Sequence, residues 1–438
     1  MRTIVSKFGG SSLADAQQFC KVADIIKSDV ARRYVVASAP GKRCSDDVKV
    51  TDLLYHCYDA AMENGEFDEL LQQIQNRYLE IIEHLGISFD LEREMALIRA
   101  HLLKAPQRDY LASRGEYLNA KILATFLNYD FLDAADVVRF TDDGSFDAEL
   151  TNKMLSEALA NRERAVLPGF YGTLPTGEVH TFSRGGSDVT GALVARAVQA
   201  DLYENWTDVS GMLAADPRIV ERPRVIEYIS YQELRELSYM GASVLHEDAV
   251  FPVRKAGIPI NIRNTNSPKD CGTFIMAALP KVTRPGPVTG IAGKKDFVSV
   301  QVEKSMMNTE VGFGAKLLAI FARHGIPFEH CPTGIDSISV IVSNEQFHLK
   351  REIILQEIRE QLSPDILTVE DGLAMIAVVG HGIAYAQNIA LQVFQALAEA
   401  EIDVWMIDQG SSKLNIILGI AQEDYERAIR SIYQKCID

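Results

Sequence analysis

Two stretches toward the C-terminal end of the chain repeat one another without a gap. LAIFARHGIPFEHCPTGIDSISVIV (residues 318–342) lies over FQALAEAEIDVWMIDQGSSKLNIIL (residues 394–418) at an offset of 394 − 318 = 76 residues. Phe321 faces Leu397, Ile326 faces Ile402, Gly334 faces Gly410, and Ile338, Val340, Ile341 and Val342 face Leu414, Ile416, Ile417 and Leu418. Each copy reads as a helix, a turn and two strands, so one small α+β module occurs twice. Just before the repeat, proline and glycine cluster in LPKVTRPGPVTG (residues 279–290), the strongest linker signal in the sequence. The tail is therefore expected to be a pair of modules, and the long stretch before the linker a separate domain.

With 438 residues, 47% hydrophobic and 24% charged, the chain is globular in composition and longer than one core usually requires. Its net charge of −16 argues against a general nucleic-acid surface, which needs clustered Lys and Arg. Anionic small molecules would have to bind at local basic sites. Six cysteines are scattered without a CxxC pair, which disfavours a zinc knuckle or disulfide framework and fits a reducing cytoplasm. No apolar run approaches the ~18 residues of a membrane span, so no membrane partner is expected.

The first domain opens with TIVSKFGGSSLADAQQF (residues 3–19). Ile4 and Val5 suit a strand, and Leu13, Ala16, Phe19, Cys20, Ala23 and Ile26 recur at helical spacing. Between them, Gly9 and Gly10 allow close approach of a ligand, and Ser11 or Ser12 suits a helix cap. Such a helix start fits a phosphate, although an ordinary turn with a solvated Lys7 has the same pattern. YVVASAPGKR (residues 34–43) reads as a buried strand with Ser38 at its C-terminal edge, where open α/β sheets bind ligands. The region from Val50 to about Phe131 is mostly helical. Within it Glu116 follows Gly115 on an otherwise apolar helix, either as a solvated surface residue or as a ligand for an ammonium group. FSRGGSDVTGALVARAV (residues 182–198) is a second glycine turn opening a helix, with Arg184 before it and Asp188 in its first turn. Ser187 and Asp188 also suit a cap there. Two helix N-termini with Lys7 and Arg184 could hold a transferring phosphate and an acceptor carboxylate together, and phosphoryl transfer depends mainly on such positioning and charge neutralisation.

KFGGSS, SRGGSD, WTDVSGMLAADPRIV and the MGASVLH segment, in this order and followed by paired modules, resemble the aspartate kinases over essentially the whole length. The resemblance implies an α/β fold: an amino-acid-kinase three-layer sandwich over residues 1–282, then two α+β ferredoxin-like ACT modules. The first module (298–370) would be nested in the second (289–297 and 371–438). It further implies ATP-dependent phosphorylation of the β-carboxylate of L-aspartate, giving 4-phospho-L-aspartate at the entry to lysine, threonine, methionine and diaminopimelate synthesis. Feedback by a pathway amino acid, lysine first and threonine next, and a homodimer or homotetramer built through the ACT modules go with it.

Residue by residue, the resemblance gives Lys7 to the ATP phosphates and to the charge that develops in transfer. Gly9, Gly10 and Ser11 would supply backbone donors, and Asp188 would orient Lys7 and the acceptor. Arg184 would pair with a substrate carboxylate, Glu116 with the substrate ammonium, and Ser38 and Thr51 with carboxylate oxygens. Thr207, Asp208, Leu213 and Arg218 fall on the nucleotide side. Mg2+ would arrive with ATP, held by phosphate and water rather than by a protein metal site. Met307, Gly312, Phe313, Ile335 and Asp336 lie where relatives bind an inhibitor; they equally suit a packed module interface. Leu213 and Ser243 depart from the usual aromatic and lysine of the nucleotide side. Two other readings therefore stay open: a catalytically silent amino-acid sensor, and a kinase of the same fold acting on glutamate or acetylglutamate.

Overall fold

The computed structural model describes the chain except Met1, Asn64, Arg184, Ser243, Val244, His246, Ala278, residues 280–285 and Ser411, and gives only the backbone of residues 247–249. Two compact units emerge. The first comprises Met1–Met212, Val225–Tyr231 and Val244–Leu279, and the second Leu213–Arg224, Gln232–Ser243 and Pro280–Asp438. Two short segments that precede the proline–glycine linker thus cluster with the tail. Hydrogen bonds show why: Ile291 N donates to Ala214 O (2.8 Å), Arg224 N to the Tyr433 hydroxyl (2.8 Å), and Thr289 Oγ1 to Glu233 Oε1 (2.7 Å).

Among its described residues the first unit has ten strands: β1 (Ile4–Phe8), β2 (Arg32–Ala37), β3 (Asp130–Phe131), β4 (Ala165–Pro168), β5 (Tyr171–Thr173), β6 (Val179–Thr181), β7 (Leu202–Thr207), β8 (Tyr228–Ser230), β9 (Ile260–Asn264) and β10 (Thr273–Met276). Eight form one sheet in the order β3-β4-β2-β1-β7-β9-β10-β8. It is parallel except where β10 runs antiparallel to β9. A parallel sheet is covered on both faces, which is why the central strands read as nearly continuous buried runs. Phe8, Val35, Ala37, Val166 and Trp206 pack with Phe19, Val22 and Ile26 and with the helices Val50–Glu63, Asp68–Leu85, Leu91–Lys104 and Arg108–Leu127. The helix Gly186–Ala197 packs on β1, β2 and β7. The result is the expected layered α/β sandwich.

In the second unit the repeat is larger than the quoted stretches. Strands β11 (Gly290–Glu303) and β14 (Ile366–Val379) are both 14 residues long and start 366 − 290 = 76 residues apart. The helices Phe313–Arg323 and Ile389–Glu399 and the strands β12 (Phe328–His330) and β15 (Val404–Asp408) keep that offset; β13 (Ser337–Ser343) and β16 (Asn415–Ala421) complete the two copies. One six-stranded antiparallel sheet results, in the order β12-β13-β11-β14-β16-β15. Residues 297–303 of β11 pair with β13, whereas Gly290–Lys294 pair with Met375–Val379 of β14, whose residues 373–379 in turn pair with β16. The two long strands therefore serve both modules. Among the described residues no helix is long and apolar enough to cross a membrane.

Candidate active site

Alternation along β1 sends Ser6 and Phe8 to one face and Val5 and Lys7 to the other. The parallel ladder sets Lys7 beside Asn205 of β7. Lys7 is only 7% exposed, and a buried ammonium needs a counter-charge. Asp188, in the first turn of the helix Gly186–Ala197, supplies it: Lys7 Nζ lies 2.5 Å from Asp188 Oδ1. Asn205 Nδ2 donates to the same oxygen at 2.8 Å, and the Tyr203 hydroxyl donates to the Asp188 carbonyl at 3.1 Å. The two glycine turns, far apart in sequence, are thus brought together by one ion pair.

At the first turn the backbone makes a short 3-10 segment, Gly10–Leu13, before the helix Ala16–Lys27. Neither Ser11 nor Ser12 caps that helix. Asp15 does, accepting from Gln18 N at 2.9 Å, while Ser12 Oγ shares a hydrogen bond with Thr265 Oγ1 (2.7 Å). The expectation that Gly9, Gly10 and Ser11 all offer N–H groups also needs correction. Gly9 N donates to Trp206 O at 2.9 Å, which leaves Gly10 and Ser11, half-buried and with no N–H partner among the described residues.

Gly10 packs backbone against backbone with Gly41. Gly41 N donates to Gly10 O at 2.8 Å, and a Cβ on Gly41 would lie 2.5 Å from Gly10 C. The buried Arg77 braces this loop by donating to Gly41 O and to Val48 O (2.7 Å) and by pairing with Asp47 at 3.2 Å. At the second turn, Gly185 takes φ +57° as the helix N-cap, and neither Ser187 nor Asp188 makes a side-chain cap.

Glu116 is buried, which removes the solvated-surface reading. Burial pushes its carboxyl up to about 8, opposed by backbone hydrogen bonds, that of Ala39 first, and by the nearby Arg114 and Lys7 charges. Its Oε2 has no hydrogen-bond partner among the described residues. One turn further along the same helix, Asn119 Nδ2 donates to Ser38 O at 2.7 Å, so this helix face grips the loop at Ser38 and Ala39. Thr51 sits half-buried in the first turn of Val50–Glu63.

Thr207 ends β7 and Asp208 follows it, with Thr207 Oγ1 donating to Asp208 Oδ1 at 3.2 Å. Leu213 and Arg218 belong to the second unit, where the exposed Arg218 pairs with Asp216 at 2.6 Å. Arg184 and Ser243 lie outside the described residues. Of the effector candidates, Met307 and Phe313 are buried, the latter with Lys304 Nζ 5.4 Å from its ring centre. Gly312 takes φ +83° before the helix, and Ile335 and Asp336 are exposed.

Among the described residues no three His, Cys, Asp or Glu side chains gather as a metal site. Sequence reasoning missed Asn205, Asn119 and Gly41. For Asn205 a signal existed: a polar side chain inside a buried parallel strand must bond to something.

Residues 2–264 match the model of the amino acid kinase family, and residues 376–436 match an ACT domain. The chain belongs to the amino acid kinase family. Within it the chain is an aspartate kinase, as 37% identity to a curated aspartokinase over 98% of its length shows. Aspartokinase 3 of Bacillus subtilis (strain 168) is 37% identical, with 98% of each chain covered. The crystal structure of Clostridium acetobutylicum aspartate kinase superposes with a TM-score of 0.91 at 47% identity over 100% of both chains. Escherichia coli aspartokinase III in complex with aspartate and ADP (R-state) gives 0.75 at 26% identity over 100% of both chains. The same protein with lysine and aspartate (T-state) gives 0.74 at 27%.

Proposed function

We propose that phosphoryl transfer from ATP to the β-carboxylate of L-aspartate is run by the Lys7–Asp188 pair, and the 2.5 Å contact between the two glycine turns is the observation that carries this reading. Lys7 neutralises charge on the transferring phosphoryl group, with Gly10 and Ser11 N–H groups on the phosphate oxygens. Asp188 orients Lys7. It has no proton to remove, because a carboxylate acceptor is already ionised at neutral pH. Glu116 receives the substrate ammonium, whose charge is the missing partner for its buried Oε2. Arg184, Ser38 and Thr51 hold the substrate carboxylates. Thr207, Asp208, Leu213 and Arg218 serve the nucleotide.

Mg2+ suits the phosphate oxygens and water better than a protein cage, since Asp188 is already engaged by Lys7 and Asn205. It would supply neutralisation of phosphate charge. The tail acts as a lysine- or threonine-responsive ACT pair, with residues 298–370 nested between 289–297 and 371–438; the sharing of β11 and β14 by both modules supports that division. Exposed Phe328, Trp405 and Ile407 on the two edge strands support pairing with a second copy as a dimer or tetramer, and the cysteines, scattered without a CxxC pair, suit the reducing cytoplasm. The decisive test is ADP release with L-aspartate, L-glutamate and N-acetyl-L-glutamate as acceptors. Turnover on aspartate alone is expected, and no turnover on any of them would leave only the sensor reading.

A further inference from the structure

We infer that Asn205 is a positioning residue for phosphoryl transfer, holding the Asp188 carboxylate in the rotamer that receives Lys7. The inference rests on the reading of Lys7 and Asp188 given above. Asn205 is 5% exposed in the middle of the sheet, on a strand whose other inward residues are mostly apolar or part of a separate charge network. That network, in which Glu204 takes Arg32, Ser6 and the Trp206 indole N–H, lies on the opposite face of β7. Asn205 therefore shares its face with Tyr203 and, across the ladder, with Lys7.

The polar contacts on this face converge on one residue. Asn205 Nδ2 donates to Asp188 Oδ1 (2.8 Å), the oxygen that Lys7 also reaches, and Tyr203 donates to the Asp188 carbonyl (3.1 Å). A single carboxylate oxygen bonded to both a cation and an amide has its torsion fixed, and its second oxygen is left for other partners. The neutral amide suits this place because it donates without adding charge. A carboxylate there would repel Asp188 and compete for Lys7, and an apolar side chain would leave Asp188 tethered by Lys7 alone. The end of the same strand also holds the first turn, through Gly9 N on Trp206 O (2.9 Å). One strand thereby fixes the relative placement of both glycine turns.

The test is a double-mutant cycle on the full-length enzyme with Asn205→Leu, Asp188→Ala and both together, reading kcat, both KM values and the denaturant midpoint. Loss of a hydrogen bond to a charged group predicts a fall of kcat of about 10- to 100-fold for Asn205→Leu, with both KM values within about threefold. In the Asp188→Ala background the same change should alter the residual kcat less than about threefold, because Asn205 acts through Asp188. Asn205→Asp, of nearly the same shape, covers the case in which the leucine variant does not fold, and should be at least as impaired. Equal losses in both backgrounds, or a kcat within about threefold of the parent in either Asn205 variant, would overturn the inference. Full activity of Asp188→Ala would instead overturn the Lys7–Asp188 reading itself.

Discussion

The two glycine turns carry the same pattern, a cation near a glycine pair followed by serine, yet they need glycine for only partly the same reasons. At the first, Gly9 has an ordinary φ of −71°, and what bars a side chain is the neighbouring loop, where Gly10 and Gly41 touch through their backbones. At the second, Gly185 stands at φ +57°, a left-handed conformation that costs an L side chain energy wherever it sits. A shared motif thus encodes close packing at both turns, since a Cβ on Gly186 would lie 2.8 Å from Phe170 Cα, and a left-handed backbone angle at the second alone. The chemistry divides in parallel. On the reading proposed above, the first turn offers Lys7 and N–H groups without partners among the described residues to phosphate, while the second presents Asp188 to Lys7 and follows Arg184, which the family resemblance gives to the substrate carboxylate.

The largest expected effect tests the first turn. Lys7→Ala should lower kcat at least about 100-fold in a folded protein, because a pre-placed charge on a developing oxyanion is typically worth that much. Steady-state kinetics beside circular dichroism check it, and turnover within threefold of the parent would reduce Lys7 to structural pairing. Next comes the aspartate side. Glu116→Gln should raise the aspartate KM about tenfold or more with little change in the ATP KM, and a rise confined to ATP would move Glu116 to the nucleotide side.

The same residue gives a pH signature. With its carboxyl near 8, folded Glu116 keeps a proton that the unfolded chain releases in the ordinary glutamate range. The ligand-free protein should therefore lose stability as pH rises from that range through about 8. Aspartate, which calls for the carboxylate, should bind more tightly over the same rise. Both dependences should flatten in Glu116→Gln, as read by thermal melts and aspartate titrations from pH 6 to 9.

The turns themselves are separated by alanine. Gly41→Ala, which forces backbone against backbone, should destabilise by about 1–3 kcal/mol and also lower kcat. Gly185→Ala should cost about 1–2 kcal/mol through its φ angle alone. Equal kinetic damage from the two would erase the difference between the turns. The smallest effect belongs to the tail: Asp336→Ala should leave kcat without effector unchanged and weaken inhibition by lysine or threonine, measured by titrating each. A matching loss of basal activity would make Asp336 a residue of the fold.

Much of this molecule was legible in the chain. The duplication follows from periodic apolar positions kept in register, and the two turns from glycine pairs between a strand pattern and a helix pattern, because both signals are local. Lys7, Glu116 and Asp188 stood out as charges set among apolar or glycine-rich neighbours. What the sequence could not fix was contact between segments distant along it. Which residue caps the first helix, Asp15 rather than Ser11 or Ser12, depends on where the chain bends, and Ser12 bonds instead to Thr265, in the turn that follows β9. Gly9 loses its N–H to Trp206, Glu116 accepts from the backbone at Ala39, and Asn205 meets Lys7 through the register of β1 on β7. Each of these is decided by sheet order and packing. Hydrogen bonds and desolvation act over a few ångströms of space, and a linear sequence records no such distance between residues hundreds of positions apart.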